Sequence, residues 1–134
     1  MAVEPVTMTY RVPYADTDQM GVVYYANYLV LFERARNEML RAYGLTYLEL
    51  EQLGVALPVV EATVAYHSPA HYDDLLEISA VCSEYKGVRI KVSCKVCRDG
   101  KLLAEGFTRH VFADIKTFRP VRPPAEILTQ MRLI

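Results

Sequence analysis

The sequence changes from a pattern typical of a β-strand to one typical of a helix and then back again. Residues 7–14 alternate and are rich in strand-forming side chains, which predicts a first strand with Pro13 at its end or at a sheet edge. From about residue 23 up to Gly44, apolar side chains recur every three or four residues, which predicts a long amphipathic helix. Its predicted apolar face consists of Leu29, Phe32, Ala35 or Arg36, Met39, Leu40 and Tyr43.

A short second helix and a series of strands follow the long helix. Thr46 and Glu49 have the spacing of a capping box, and Gly54 stands where the short helix is expected to end. Strand-like alternation then returns in residues 57–67, 75–85, 89–98 and 101–114. The dipeptide Asp99-Gly100 is typical of a two-residue hairpin turn. Residues 125–132 predict one or two terminal helical turns.

This order of elements predicts an α+β fold. Strands in series form a mainly antiparallel sheet, here of about five strands, and the long helix covers one face of it. Direct pairing across the last hairpin places Glu105 and Arg109 opposite the apolar face of the previous strand. Either a bulge shifts the register or this face is partly polar because it meets another surface, and the sequence leaves both open. A sheet that is covered on one side leaves an edge that association can bury, so a homodimer or a larger assembly is expected.

Composition and charge narrow the class of protein. The 134 residues are expected to form one domain, and a net charge of −1 without a long basic run argues against nucleic acid as a partner. No segment suits a membrane span or a secretory leader, and three cysteines are an odd count, so a cytoplasmic location is expected. Cys94 and Cys97 form a C-x-x-C pair, but residues three apart on a strand face opposite sides, so no metal or redox site is expected.

The strongest chemical signal lies in residues 14–28, between the first strand and the long helix. This stretch holds two carboxylates, Asp16 and Asp18, together with Gly21 and four tyrosines. Carboxylates in a loop that leads into a helix lie near outward-pointing N–H groups and the positive end of the helix dipole. Such a loop can hold a developing negative charge with a base beside it. An aspartate close to a glycine is also an ordinary turn residue.

Several short runs are similar to the 4-hydroxybenzoyl-CoA thioesterase family, and in particular to its bacterial acyl-CoA thioester hydrolase branch. The runs are Arg11-Val12, Thr17-Asp18, Gly21-Val22-Val23-Tyr24, Asn27-Tyr28, Phe32-Glu33-Arg34-Ala35-Arg36, Ser68-Pro69-Ala70, Asp74 and Asp99-Gly100. The resemblance covers roughly residues 7–120. It implies a hotdog fold, in which a curved antiparallel sheet wraps around the long helix. It also implies that subunits pair sheet edge to sheet edge and that dimers associate into a homotetramer.

The same resemblance implies an activity and a site at the subunit interface. The activity is hydrolysis of an acyl-CoA thioester to a free acid and coenzyme A, without a cofactor, because coenzyme A is part of the substrate. The family's catalytic carboxylate falls at Asp18, and the helix N-terminal amide that polarises the thioester carbonyl falls at Tyr25. Some relatives carry a histidine at the position of Tyr25, and this chain departs from them.

Further residues are candidates for contact with the substrate. Tyr24 and Tyr28 can line an acyl pocket or belong to the core, whereas Asn27 can orient the loop or cap the helix. Phosphates of coenzyme A require cations at the surface. The candidates for this role cluster around one turn and one strand face and are Lys86, Arg89 and Lys91.

Several questions stay open at this stage. Asp18 can activate a water molecule as a general base or attack the thioester directly. A hydratase or dehydratase acting on acyl thioesters is an alternative, but such enzymes are expected to combine a histidine with a carboxylate, and the loop holds no histidine. A non-catalytic acyl-CoA-binding or sensor protein would use the same groove, although Asp18 near Gly21 favours an enzyme. The pattern fixes neither the acyl group nor the use of acyl-carrier protein.

Overall fold

A computed structural model describes residues 4–134. The strands and helices in chain order are β1 (Val6–Arg11), α1 (Asn27–Ala42), α2 (Tyr47–Gln52), β2 (Val55–Ala56), β3 (Val59–Tyr66), β4 (Leu75–Lys86), β5 (Arg89–Arg98), β6 (Lys101–Val111), β7 (Ala113–Asp114) and α3 (Ala125–Gln130). Five strands form an antiparallel sheet in the order β1-β4-β5-β6-β3, and β2 pairs with β7 in a small second sheet. The predicted α+β fold, with about five antiparallel strands and one long helix, is confirmed.

Helix α1 packs against the sheet, mainly on β4 and β1, and its buried face forms the centre of the core. The buried residues of α1 are Tyr28, Leu31, Phe32, Ala35, Arg36, Met39 and Leu40. The predicted apolar face is wrong at Leu29, which is 40% exposed. The reason is that α1 begins at Asn27 rather than near residue 23. Val23 instead forms an isolated antiparallel β-bridge with Thr17 in the loop. The buried face of the helix therefore starts with Tyr28 and Leu31.

Tertiary hydrogen bonds also shift the ends of the predicted strands. The first strand ends at Arg11, opposite the first residue of β4, Leu75. The N–H of Val12 still donates to the carbonyl of Asp74, but Pro13 has no N–H to continue the ladder. Residues Tyr14–Asp16 form a single 3₁₀ turn. The last predicted strand ends at Val111, and the residues after it form β7, which the sequence pattern did not indicate.

A bulge decides the register of the β5–β6 hairpin. Val96 pairs with Ala104 whereas Cys97 pairs with Leu102, so β6 has one extra residue at this point. As a result Glu105 lies opposite Lys95, and their side chains belong to the outer face of the sheet, away from α1. The predicted cap of α2 is confirmed, because the N–H of Glu49 donates a hydrogen bond to the hydroxyl oxygen of Thr46 at 3.1 Å.

The cysteines of the C-x-x-C pair lie on β5, and with Cys82 they are free thiols. Burial raises the pKa of Cys82 to about 11 and that of Cys94 to about 12, so both thiols stay protonated at neutral pH. Within residues 4–134, no cluster of three or more histidine, cysteine, aspartate or glutamate side chains has an arrangement suited to a metal ion. In the same part of the chain, no helix has the length and apolar character needed to cross a membrane.

Candidate functional site

A pocket of about 310 Å³ lies where the loop before α1 meets the end of β3. Its lining consists of Asp18, Val22, Val23, Tyr25, Tyr28, Tyr66, His67, Ser68 and Pro69. A larger cleft of about 560 Å³ lies on the outer face of the sheet, but no residue of the loop before α1 lines it. We assign the site to the smaller pocket because it contains the candidate carboxylate and the start of the helix.

Asp18 builds a tight turn and still presents one free carboxylate oxygen. Its N–H donates to the Val22 carbonyl at 2.9 Å, and its own carbonyl accepts from the Gly21 N–H at 3.0 Å. Gly21 has a φ of +78°, a conformation that glycine adopts without strain. Oδ1 of Asp18 accepts from the Met20 N–H at 2.8 Å, whereas Oδ2 accepts no hydrogen bond from residues 4–134. The turn-forming role and a chemical role are therefore compatible, because they use different oxygens.

Asp16 stabilises the loop and is not among the residues that line the pocket. Its carboxylate accepts a hydrogen bond from the hydroxyl of Tyr10, and its carbonyl accepts from the Asn27 side-chain amide at 2.9 Å. Burial and the bond to Asp16 raise the pKa of Tyr10 to about 12, so the hydroxyl remains a donor. Asn27 thus orients the loop rather than capping the helix, and it is not among the residues that line the pocket.

The amides before α1 are not equivalent. The N–H of Tyr24 donates to the Asp16 carbonyl at 2.9 Å and is therefore not available to a substrate. The N–H of Tyr25 has no acceptor among residues 4–134, and Tyr25 lines the pocket that contains Asp18. The first N–H groups of a helix lack partners within the helix and point outward. Of these two amides, only that of Tyr25 is open.

Aromatic side chains form the inner wall of the pocket. The Tyr66 hydroxyl donates to the Tyr25 carbonyl at 2.8 Å, which fixes the peptide beside the open amide. The ring of Tyr66 meets that of Tyr28 edge to face, with centroids 5.1 Å apart. Tyr28 is only 3% exposed, and burial raises the pKa of both Tyr28 and Tyr66. Tyr28 therefore belongs to the core and the pocket together. Tyr24 packs against Tyr25, outside the lining.

A second loop, residues 67–74, holds the first one in place. The Val23 N–H donates to the carbonyl of Ala70 at 2.8 Å, and the carboxylate of Asp74 accepts from the N–H of His71 at 2.8 Å. Burial acts to raise the pKa of Asp74, but the hydrogen bonds from His71 and Arg98 and the charge of Arg98 outweigh it and lower the pKa. Asp74 is therefore ionised at neutral pH and ties Arg98 of β5 to this loop.

The fold separates one set of predicted residues from the pocket. A different cavity, of about 380 Å³, lies near the start of β3. It is lined by the three cations proposed for the phosphates of coenzyme A, which are Lys86, Arg89 and Lys91. Within one chain they do not meet Asp18. Sequence reasoning also missed Tyr66 and His67. These residues reach the pocket because β3 pairs with β6 at the edge of the sheet. The loop itself holds no histidine, yet the pocket does.

The chain is similar to known proteins in both sequence and fold. The sequence profile of the thioesterase-like superfamily matches residues 12–131. The chain is 35% identical to the acyl-CoA thioester hydrolase YbgC of Escherichia coli O6:H1 over 123 residues, which is 91% of this chain and 92% of that protein. It superimposes on a hypothetical protein, TT1821, from Thermus thermophilus with a TM-score of 0.89, 35% identity and 97% coverage of both chains. For a DHNA-CoA thioesterase from Staphylococcus aureus the TM-score is 0.88, with 25% identity and coverage of 96% and 91%.

Proposed function

Because this chain belongs to the thioesterase-like superfamily, we propose that it hydrolyses acyl-CoA thioesters with Asp18 as the catalytic carboxylate and the Tyr25 amide as the oxyanion donor. The chain is a thioester hydrolase of the hotdog fold. The observation that supports the roles of the two groups is that one pocket is lined by Asp18, which has a free carboxylate oxygen, and by Tyr25, whose N–H is open and lies two residues before α1.

The chemistry of the proposal requires both groups. Water must lose a proton as it attacks the thioester carbonyl, and the carbonyl oxygen then carries a negative charge. Oδ2 of Asp18 can take the proton, a role that contributes roughly 10²- to 10⁴-fold to a rate. The N–H of Tyr25 can donate to the oxyanion, and loss of one such donor typically costs about 10²- to 10³-fold in kcat. Direct attack by Asp18, which gives a mixed anhydride, uses the same two groups.

A second copy of this chain is the partner that the sheet edge favours. Strand β3 lies at the edge of the sheet, and seven of its eight residues are exposed. Val60 is 60% exposed and Tyr66 is 49% exposed. A long, apolar, unpaired edge is a surface that pairs with another strand. We therefore include in the proposal a homodimer in which two β3 edges pair antiparallel, and dimers that assemble further into a homotetramer.

This pairing also gives the cation cluster a role. The cavity with Lys86, Arg89 and Lys91 lies at the start of β3, beside Val60, whereas the thioester pocket lies at its end. In an antiparallel pair the start of one strand lies opposite the end of the other. The cations of one copy thus approach the pocket of its partner, where they can bind the phosphates of coenzyme A.

The dimer predicts a clear response to one charge on the edge. In sedimentation equilibrium the unaltered protein is expected as a dimer or tetramer, and Val60→Lys is expected to shift it towards monomer, because pairing of the two edges would then place a charged lysine of each copy against the apolar edge of the other. Ser83→Lys, at an exposed position of β4 away from this edge, is the matched control and should keep the assembly. A monomeric unaltered protein at micromolar concentration contradicts the proposed partner.

The activity itself is tested with a panel of acyl-CoA thioesters. Short, long, branched and aryl acyl groups are compared by release of free thiol, and one 2-enoyl-CoA tests for hydration of the double bond. We expect thiol release on part of the panel and no hydration. Binding without thiol release on any substrate would favour a sensor, and hydration without thiol release would favour a hydratase. Either result overturns the proposed function.

A further inference from the structure

His67 is the one histidine that lines the thioester pocket. It follows the last residue of β3, and its N–H donates to the carbonyl of Leu103 at 2.8 Å, so the backbone is fixed next to β6. The neighbouring residue on β3, Tyr66, holds the carbonyl of Tyr25. The backbone of His67 is therefore held at a strand end whose neighbouring residue, Tyr66, is hydrogen-bonded to Tyr25.

Glu105 orients the imidazole. Nε2 of His67 lies 2.9 Å from Oε2 of Glu105, and the two side chains are 46% and 43% exposed. An ionised carboxylate can only accept hydrogen bonds, so Nε2 carries a proton in this pair. The proton that His67 gains or loses is then the one on Nδ1. Nδ1 makes no hydrogen bond with residues 4–134, which leaves it available to a substrate atom.

The position of His67 in the pocket indicates which part of a substrate it meets. Tyr28 and Val23, at 3% and 4% exposure, are the buried residues of the lining, and the part of the pocket that they form suits an acyl group. The side chain of His67 is almost half exposed, so this part of the lining is open to solvent. Coenzyme A is far larger than a pocket of about 310 Å³, so its chain must leave through that opening. The sulfur atom joins the two parts, and Asp18 and His67 both line the pocket in which it must lie.

We propose that His67 is the general acid that protonates the departing sulfur, with Glu105 as its positioning residue. This inference rests on the proposed thioester hydrolysis. As the tetrahedral intermediate collapses, the C–S bond breaks and its electron pair stays on sulfur. The sulfur takes the proton from Nδ1 of the imidazolium, and the free thiol leaves. Asp18 holds the proton of the attacking water and releases it to solvent, from which His67 is protonated again.

The proposal makes the need for His67 depend on the leaving group. An ordinary alkyl thiol has a pKa of about 8.5, so a thiolate that leaves at neutral pH must gain a proton. An aryl thiol is more acidic, because the ring delocalises the charge of its thiolate, and it departs readily without a proton donor. Loss of a general acid therefore slows an alkyl thioester more than an aryl thioester.

The experiment compares two thioesters of one acyl group, a coenzyme A ester and an S-phenyl ester, with the unaltered protein, His67→Gln and Glu105→Gln. For His67→Gln we expect kcat to fall by roughly 10²-fold on the coenzyme A ester and by less than about tenfold on the S-phenyl ester. Glu105→Gln should show the same selectivity with a smaller loss. His71→Gln is the matched control, since the side chain of His71 is exposed and lies outside the pocket lining, and it should change neither rate.

Two results overturn the role of His67 alone. Equal losses on both esters would indicate a structural effect, and unchanged rates on both would make His67 and Glu105 a surface ion pair only. In both cases the unaltered protein still releases thiol, so the proposed function stands. Absence of thiol release by the unaltered protein from every thioester overturns the proposed function and the role of His67 together. Thermal melting of each variant shows that the fold is retained.

Discussion

Asp18→Asn is expected to lower kcat by roughly 10²- to 10⁴-fold on the best acyl-CoA substrate while the melting temperature stays unchanged. An asparagine keeps the oxygen that accepts from the Met20 N–H, so the turn before α1 persists. It replaces the free carboxylate oxygen by an amide NH₂ group, which can neither take a proton from water nor attack a carbonyl. The measurement is free thiol release in parallel with thermal melting and calorimetric binding of the substrate.

Asp18→Ala separates the two roles of the carboxylate. Alanine removes the turn acceptor as well, so this variant should lose about 1 kcal/mol of stability in addition to its activity. Asp73→Asn is the matched control, because Asp73 is an exposed carboxylate with 70% side-chain exposure and lies outside the pocket lining. Normal hydrolysis by Asp18→Asn would exclude Asp18 from the chemistry while leaving the assignment to the thioester hydrolases in place.

The elements with a local signal could be read directly from the sequence. The apolar repeat of α1, the cap at Thr46 and the turn at Asp99-Gly100 each depend on residues within a few positions of one another. The ends of the elements could not be read in this way. The first strand stops at Arg11 because its partner β4 begins at Leu75, and this limit depends on the completed β1–β4 contact.

The site likewise contains residues that a local sequence pattern indicates and features that depend on tertiary contacts. Asp18 and the Tyr25 amide were predicted from a loop that leads into a helix and from the family resemblance, and both residues line one pocket of the folded chain. The bonded state of the Tyr24 amide was not predictable, because its acceptor is the carbonyl of Asp16, across the folded loop. His67 carries no signal in its spacing from Asp18. It joins the pocket through the antiparallel register of β3 with β6.

Gly106 of β6 is a position where a single methyl group is expected to cause a large loss of stability. A Cβ atom at Gly106 would lie 2.0 Å from the carbonyl oxygen of Thr63 and 3.0 Å from Cε2 of Phe32. Thr63 belongs to β3, so the clash involves the backbone of a paired strand and a side-chain movement cannot relieve it. We expect Gly106→Ala to lower the free energy of unfolding by about 3 kcal/mol or more, measured by urea denaturation.

Two further variants identify the cause of this loss. Gly87→Ala has open space around its Cβ but a φ of +64°, so it measures backbone strain alone and should cost about 1 kcal/mol. Combining Gly106→Ala with Phe32→Leu should not restore stability, because the carbonyl of Thr63 is the nearer obstacle. Recovery in the double variant would mean that the ring of Phe32 sets the limit instead. Any separation of β3 from β6 also moves Tyr66 away from the Tyr25 carbonyl, so the surviving folded Gly106→Ala protein should hydrolyse thioesters more slowly.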